Sequence, residues 1–329
     1  MNQAATPITA PLLSGPSFVV QEVANPSSDY YIVPRTKIAG PMRVFNKSEL
    51  PMAAELTGAS VIFVRYVPRE WMRLVPRRRD AIRRVIYFMD DDLFDLRACR
   101  SMPLRYRLKL ARLATLRKNW LRRIGAELWV STPYLAQKYA DWRPTVVAPL
   151  PLPVQRQPTR TGAPASVKVF YHGSASHAAE IKWLRPIMER VLQQAPGVSF
   201  EIIGTAAVNR LYRALPRASV VHPMSWGDYQ AFCLSGARHI GLAPLLPSPY
   251  NAARSHTKFF DIERCGAAGI YSNTAPFADF VRQGEDGLLV DNNPDAWVDA
   301  ILRLANNAVE RERLAEGARR RVARLREPS

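Results

Sequence analysis

Residues 167–192 read VKVFYHGSASHAAEIKWLRPIMERVL, and this stretch determines the predicted fold of the second half of the chain. The β-branched and aromatic residues of 167–171 predict a buried strand. A turn containing Gly173 follows, and from Ile181 onward apolar residues recur every three or four positions, which predicts an amphipathic helix. A strand that leads through a turn into a helix is the beginning of a βαβ unit.

The same alternation continues towards the end of the chain. Further β-rich runs occur at 200–203, 220–221, 239–245, 269–272 and 287–290. Helical patterns separate them, among them 226–236, a helix from Lys258, 277–283 and a last pair after the Asn293 cap. Strands that alternate with helices form right-handed crossovers and a parallel, doubly wound sheet. The second half is therefore predicted to be a Rossmann-like α/β domain.

The first half is predicted to be a smaller and partly irregular α/β domain. Strands are expected at 60–64, 85–89, 126–130 and 145–147, with a long basic helical stretch over 104–121. Five prolines in the sixteen residues from Pro149 to Pro164 indicate a linker, since proline fits neither a helix interior nor a central strand. The predicted organisation is a disordered segment 1–16, a first domain 17–150, a linker 151–166 and a second domain 167–329, whose last helix is expected to pack back on the first domain.

Length and composition exclude several classes of protein. A chain of 329 residues with 47% hydrophobic residues is long enough for two globular domains and too apolar for wholesale disorder. No apolar run approaches the ~20 residues of a membrane span, and the start of the chain does not resemble a signal peptide. Three widely spaced cysteines fit neither a disulfide framework nor a zinc motif, so a reducing, cytoplasmic location is expected.

Positive charge is concentrated in one region. The chain has 46 Lys and Arg against 28 Asp and Glu, a formal charge of +18. Residues 65–123 contain eighteen of the basic and six of the acidic residues, which leaves +12 in less than a fifth of the chain. Such a charge excess indicates a polyanionic neighbour, which could be a nucleic acid, an anionic membrane surface or a phosphate-bearing ligand; solvated helix faces are the alternative.

The first candidate site follows the first strand of the second domain. Ligands of doubly wound sheets bind beyond the carboxyl ends of the strands, where loops lead into helix N-termini. Gly173 would let a backbone approach closely, Ser174 could donate a hydrogen bond, and the helix N-terminus attracts phosphate. His172 is a candidate general base; a plain turn with a structural histidine is the alternative.

The second candidate site is the stretch YNAARSHTKFFDIERCG, residues 250–266. Ser255 or Thr257 is expected to cap a helix there, with Arg254 and Lys258 at its amino end, where an anion would bind. Lys258 suits a diphosphate, and Asp261 one turn on suits the hydroxyl groups of a ribose. The alternative is that Asp261 merely complements the helix dipole.

Together these stretches resemble the GT-B glycosyltransferases that use nucleotide-activated sugars. The likeness covers residues 167–304 and is strongest over KFFDIERCG (258–266), IYSN (270–273) and EDGLLV (285–290). It implies two Rossmann-like domains that face each other across a cleft, with the donor bound by the second domain and the acceptor by the first. It also implies that Gly173 and Ser174 contact the donor diphosphate, that Lys258 neutralises it, and that Asp261 binds the ribose.

One departure from that group concerns the donor sugar. Many members have a glutamate eight residues before the second carboxylate, and here Ala253 occupies that position. Asn251 or Arg254 is expected to substitute for it, and Ser255 is counted with the donor-binding residues. The second carboxylate is Asp261, where glutamate is usual.

The acidic triplet Asp90, Asp91 and Asp92 follows a predicted strand of the first domain. The stretch VIYFMDDDLF (85–94) resembles the strand and acidic turn of some GT-B members, which implies an acceptor-side role. The alternatives are a helix cap and a metal-binding motif. No metal or other cofactor is expected, because Lys258 and a helix N-terminus can neutralise the leaving group.

The expected function is transfer of a hexosyl or related sugar from a nucleotide-diphosphate sugar to a lipid-linked or saccharide acceptor. The resemblance implies retention of anomeric configuration, with Lys258, Arg254 and His172 as catalytic candidates. Because the basic region lies on the acceptor side, we expect docking on the anionic inner face of a membrane, in polysaccharide or glycolipid synthesis, and no nucleic acid partner. The alternatives are a nucleic-acid-binding protein that uses residues 65–123 and a catalytically inactive scaffold.

Overall fold

The structure, a computed structural model, forms two compact units. The first comprises residues up to Leu150 together with Ser248–Ser255, and the second comprises Pro151–Pro247 and the residues from His256 onward. The structure describes residues 13, 15–46, 49–100, 104–153, 166–173 and 175–326. Ser174, most of the segment 1–16 and most of the linker therefore lie outside the described residues.

The first unit is built on a parallel sheet. Within the described residues its strands are β1 Ser17–Val20, β2 Met42–Phe45, β3 Ser60–Val64, β4 Arg84–Met89, β5 Glu127–Val130 and β6 Thr145–Val146. They pair in the order β2-β1-β3-β4-β5-β6, and every pair is parallel. β1 and β2 had no counterpart in the sequence prediction, so this unit is more regular than expected.

The helices of the first unit are short. They are α1 Val33–Ala39, α2 Arg69–Arg77, α3 Leu104–Leu113, α4 Lys118–Arg123 and α5 Pro133–Lys138. The single basic helix expected over 104–121 is wrong, because the chain leaves helical geometry at Ala114 and forms a 3-10 turn over Thr115–Arg117. The Thr115 hydroxyl donates a hydrogen bond to the Leu93 carbonyl at 2.9 Å, which fixes this break.

The second unit has the strand order of a Rossmann domain. Its described strands are β7 Val167–Tyr171, β8 Val198–Ile203, β9 Ala218–Val221, β10 Ile240–Ala243, β11 Ala268–Ser272 and β12 Leu288–Val290. They pair in the order β9-β8-β7-β10-β11-β12, all parallel. The chain order reverses between β7 and β10, and such a switch point is where doubly wound sheets bind ligands.

Six helices of the second unit lie within the described residues. They are α6 Ala178–Gln194, α7 Ala206–Tyr212, α8 Trp226–Leu234, α9 Thr257–Arg264, α10 Pro294–Asn306 and α11 Ala308–Arg326. The helix expected at 277–283 is wrong, because residues 275–280 form consecutive turns. The last helix, α11, packs against α9, α10 and β11 of its own unit. No helix in the described part of the chain is long and apolar enough to cross a membrane.

A short segment of the second half of the chain belongs to the first unit. Tyr250 and Ala253 lie in the same buried cluster as Val61, Phe63 and Trp71, which come from β3 and α2. The segment 248–255 therefore contributes to the hydrophobic core of the first unit although about a hundred residues separate it from the rest of that unit.

Candidate functional site

The loop after β7 lies at the switch point of the second sheet. His172 and Gly173 are the first residues of this loop, and both are buried. A Cβ atom on Gly173 would lie 2.6 Å from Cε1 of the Tyr171 ring. Because that distance is too short for a real contact, any larger residue at this position would force the buried Tyr171 ring or the loop to shift.

Lys258 joins this loop to α9. Its ammonium group donates a hydrogen bond to the His172 carbonyl oxygen and lies 3.4 Å from the Asp261 carboxylate. The Lys258 side chain is 24% exposed, whereas that of Asp261 is 13% exposed. The structure thus brings together Gly173, Lys258 and Asp261, three of the predicted donor-binding residues, at one edge of the second sheet.

The amino end of α9 differs from the prediction. The helix begins at Thr257 and its capping position is His256, which makes no side-chain capping hydrogen bond. The expected Ser255 or Thr257 cap is therefore wrong. The Ser255 hydroxyl instead hydrogen-bonds to the Tyr31 hydroxyl of the first unit, so it is not available to the helix.

The His172 ring is enclosed by side chains of the second unit. Its Nε2 lies 3.1 Å from Glu201 Oε1, and its Nδ1 lies 3.3 Å from the Tyr229 hydroxyl. Arg238 Nε donates to the same Glu201 oxygen at 2.5 Å. Burial alone would raise the pKa of Glu201, but hydrogen bonds from His172 and Arg238 hold it at about 2. This arrangement favours a role for His172 in positioning the loop.

Two thiols lie beside the same ring. A ring nitrogen of His172 and the Sγ atoms of Cys233 and Cys265 all lie within 4.8 Å of one another. The hydrogen bond from Cys265 lowers the pKa of Cys233 to about 6, whereas burial raises the pKa of Cys265. All three cysteines of the chain are free and buried.

Arg65 is the central cation of a second charged cluster, which lies at the carboxyl edge of the first unit's sheet. It follows β3 directly, and its φ of 66° places it in the left-handed region that side-chain-bearing residues rarely adopt. Its guanidinium pairs with Asp90 and lies 2.8 Å from Asp91. Such a backbone conformation persists only where the surroundings enforce it, and here the carboxylates after β4 hold the side chain.

Asp91 binds the segment 248–255. Its carboxylate lies 3.3 Å from Arg254 Nε and accepts a hydrogen bond from the Tyr250 hydroxyl at 3.2 Å. Burial alone would raise its pKa, but the charges of Arg254 and Arg65 hold it at about 2. Asp91 is therefore an anion that ties two distant parts of the chain together within one unit.

Asp90 and Asp92 have separate partners. The Ser27 hydroxyl donates to Asp90 at 2.6 Å. The fully buried Asp92 accepts hydrogen bonds from Lys138 and from the Tyr139 hydroxyl, both at 2.5 Å. All three carboxylates are therefore paired with cations of the first unit, since Arg65 contacts both Asp90 and Asp91 and Lys138 contacts Asp92.

Apart from Ser174, which lies outside the described residues, the remaining predicted donor residues belong to the first unit. Arg254 pairs with Asp91, and Asn251 is buried with its backbone N–H donating to the Ser248 hydroxyl at 3.0 Å. Ala253, at the position of the usual glutamate, is fully buried in the hydrophobic core. Asn251, Arg254 and Ser255 thus belong to a different unit from Lys258 and Asp261.

Sequence reasoning missed several groups of these sites. Arg65 directly follows a strand at the switch point of the first sheet, so the rule that located Gly173 could have found it. Glu201 is an acidic residue inside an apolar strand, which is itself a signal of a buried partner. Nothing local in the sequence pairs Glu201 with Arg238, or Tyr250 with Asp91.

Solved structures share this architecture. TarM of S. aureus superposes with a TM-score of 0.57 at 12% identity, over 82% of this chain and 52% of the TarM chain. Anabaena HepE, solved in complex with UDP and glucose, matches with a TM-score of 0.57 at 10% identity, over 95% of each chain. Sucrose-phosphate synthase from Thermosynechococcus elongatus matches with a TM-score of 0.53 at 14% identity, over 94% of each chain.

The chain has the GT-B glycosyltransferase fold. At these identities the likeness concerns the fold, and the chain spans about half the length of the TarM chain that it matches. A scan against models of protein families finds no match, and a search of curated proteins finds none. The prediction of two Rossmann-like domains is confirmed, because each unit contains a parallel six-stranded sheet.

Proposed function

We propose that this protein is a glycosyltransferase that uses a nucleotide-diphosphate sugar as donor. The observation that carries the proposal is the position of the partly exposed Lys258, at the amino end of α9 and beside the Gly173 loop. A cation, a helix N-terminus and a close-approaching backbone at a switch point suit a diphosphate. The solved structures of HepE contain UDP or UDP-glucose, and TarM was solved with UDP, which supports this donor class.

The chemical step would rest on electrostatic stabilisation of the leaving diphosphate. An ammonium group has three N–H donors, and the contacts with His172 and Asp261 account for two of them, so a third can donate to the diphosphate. The Gly173 backbone would approach the phosphates, and Asp261 would accept hydrogen bonds from the ribose. Because these groups are positioned before the charge develops, they lower the barrier without rearrangement.

Ligand-induced thermal stabilisation tests the donor class. A ligand at 100 times its dissociation constant adds about 2.7 kcal/mol of stability, so UDP-, GDP- and ADP-linked sugars can be ranked by melting temperature. The best donor is then incubated with saccharide acceptors while nucleotide release is followed. Stabilisation without any transfer would favour the inactive-scaffold alternative, and no stabilisation by any nucleotide would contradict the proposal.

Two finer features of the reaction follow from the resemblance. We expect retention of anomeric configuration, which the NMR coupling constant of the product's anomeric proton reports; an inverted product would contradict it. We also expect transfer without added divalent cations, because Lys258 and the helix N-terminus supply the positive charge. A strict requirement for added Mg²⁺ or Mn²⁺ would contradict that expectation.

A basic face with exposed leucines supports a lipid-linked acceptor at a membrane surface. Leu104 and Leu108 of α3 are 67% and 61% exposed, and at 3.6 residues per turn they share one face with the exposed Arg105 and Arg112. Ion pairs among the described residues join only four of the eighteen basic residues of 65–123 to carboxylates. Apolar side chains among unpaired arginines suit an anionic bilayer, where each basic residue contributes about 1 kcal/mol.

Vesicle co-sedimentation tests this surface. We expect binding to phosphatidylcholine vesicles only when phosphatidylglycerol is included, and weaker binding after Leu104→Ser with Leu108→Ser. Val309→Ser, which alters an exposed valine of the second unit, is the matched control. Vesicle binding that does not depend on anionic lipid would contradict membrane docking. Tight RNA binding at physiological salt would also contradict it and would favour the nucleic acid alternative.

A further inference from the structure

Three separate elements of the second unit bring metal-ligating side chains to one place. His172 follows β7, Cys233 lies in α8, and Cys265 follows α9. One ring nitrogen and the two Sγ atoms lie within 4.8 Å of one another, and the three residues are at most 5% exposed. Among the residues that the structure describes, no other three His, Cys, Asp or Glu side chains converge in this way.

The hydrogen bonds of His172 orient it as a metal ligand. Glu201 pairs with the Arg238 guanidinium at 2.5 Å and is therefore a carboxylate that can only accept hydrogen bonds. The Nε2 atom, 3.1 Å from this carboxylate, donates its hydrogen to it, so the lone pair of the neutral imidazole lies on Nδ1. Histidines that bind metals usually donate their other N–H to a carboxylate in this manner.

The three side chains select a thiophilic ion. Thiolate and imidazole ligands suit Zn²⁺ or Cu⁺, whereas Mg²⁺ and Ca²⁺ require oxygen ligands. Tetrahedral Zn²⁺ with Zn–S near 2.3 Å and Zn–N near 2.1 Å places its ligands roughly 3.5–3.8 Å apart, so shifts of about 1 Å complete the site. The Tyr229 hydroxyl, 3.3 Å from Nδ1 and hydrogen-bonded to Cys233, borders the same space.

We propose that His172, Cys233 and Cys265 bind one thiophilic metal ion that ties the β7 loop to α8 and α9. The ion has a structural role: it fixes the loop that contains Gly173 and the helix that contains Lys258. The three ligands are buried, so the ion would not contact a donor, and its binding does not depend on the proposed transferase activity.

Cobalt substitution tests the site directly. The full chain is reduced, stripped of metal and titrated with Co²⁺, which gives a thiolate-to-metal charge-transfer absorption when cysteines coordinate it. We expect one equivalent to bind, and Zn²⁺ to displace it. A wild-type chain that shows no such absorption overturns the proposal whatever the variants do.

Variants identify the ligands. Cys233→Ser with Cys265→Ser should abolish the charge-transfer absorption, whereas Cys99→Ser, a buried thiol of the first unit, should leave it unchanged. Glu201→Gln, which removes the carboxylate behind His172, should weaken zinc affinity 10- to 100-fold while the absorption persists. An absorption that survives in the double serine variant, or that disappears in Cys99→Ser, would overturn the assignment.

Discussion

The carboxyl edges of the two sheets hold their charges in different ways. At the edge of the second sheet, Lys258 has contacts with one carbonyl oxygen and one carboxylate, and its side chain is 24% exposed. At the edge of the first sheet, Arg65 lies between Asp90 and Asp91, and the Asp91 side chain is only 4% exposed. The first arrangement leaves a cation that a diphosphate can reach, whereas the second already balances its charges internally.

This difference predicts that the two clusters have different roles, one in stability and the other in ligand binding. A buried ion pair gains little over apolar packing, but removal of one partner leaves an uncompensated charge in the interior. Truncation of a partly exposed cation at a helix N-terminus changes the free energy of unfolding little, but it weakens the binding of an anion there. We therefore expect substitutions at the carboxyl edge of the first sheet (the first edge) to alter the free energy of unfolding. Substitutions at the carboxyl edge of the second sheet (the second edge) should alter ligand binding and catalysis.

The largest effect is expected for Arg65→Ala. The change leaves Asp91 with Arg254 as its remaining described cation and removes the guanidinium from Asp90, so unfolding should become easier by about 3–5 kcal/mol. Urea unfolding measures this change. The exposed Arg69, four residues on, is the control and should alter stability by less than about 0.5 kcal/mol when changed to alanine. Equal effects of the two variants would refute the contrast between the edges.

Lys258→Ala is expected to affect catalysis with little effect on stability. Loss of one positioned donor to a developing anion typically lowers kcat by 10²–10³-fold. Steady-state transfer rates with the best nucleotide sugar measure this loss. The exposed Lys182 of α6 is the matched control, and its alanine variant should retain full turnover. Undiminished transfer by Lys258→Ala would remove the basis of the proposed function.

Acid should weaken the first edge through Asp91. Its pKa is about 2 in the folded protein, below the usual 3.8, so the folded state favours the ionised form. The resulting stability is fully present above pH 4 and is lost as pH falls towards 2, by roughly 2 kcal/mol. Unfolding measured between pH 5 and pH 2.5 should show a shallower loss for Asp91→Asn than for the wild type. Parallel curves would contradict this role for Asp91.

The smallest effect is expected for Gly173→Ala. The new Cβ would press on the Tyr171 ring at 2.6 Å, so we expect a loss of about 1–2 kcal/mol in stability and weaker donor binding in the thermal-shift assay. Gly227→Ala is the matched control, because nothing lies within 4 Å of its Cβ and it sits in α8. In that helix, alanine should stabilise by up to about 1 kcal/mol. A neutral Gly173→Ala would show that the loop has room to adjust.

Local patterns in the sequence predicted the second unit well. The apolar period from Ile181 gives α6, the glycine turn after residues 167–171 lies at the switch point, and Lys258 lies in the first turn of α9 as expected. These features depend on neighbours within a few residues, which a single sequence displays. The parallel, doubly wound sheet follows from them because strands alternating with helices permit few topologies, whereas the GT-B expectation came from the resemblance over residues 167–304.

Features that depend on distant contacts could not be predicted. The helix over 104–121 breaks where Thr115 bonds to Leu93, and β1 and β2 are regular only because they pair with β3 and with each other. Ser255 fails to cap α9 because Tyr31, more than two hundred residues earlier, takes its hydroxyl. The Asp91 and Arg254 pair likewise joins residues far apart in the sequence, and no periodicity reports it.

The segment 248–255 also governs the timing of folding during synthesis. Tyr250 emerges from the ribosome about a hundred residues after Leu150, which at 5–20 residues per second means a delay of roughly 5–20 s. During that interval the nascent first unit lacks Tyr250 and Ala253, two buried members of its core, and Asp91 lacks Arg254. The first unit to be translated is therefore completed only after most of the second has been made.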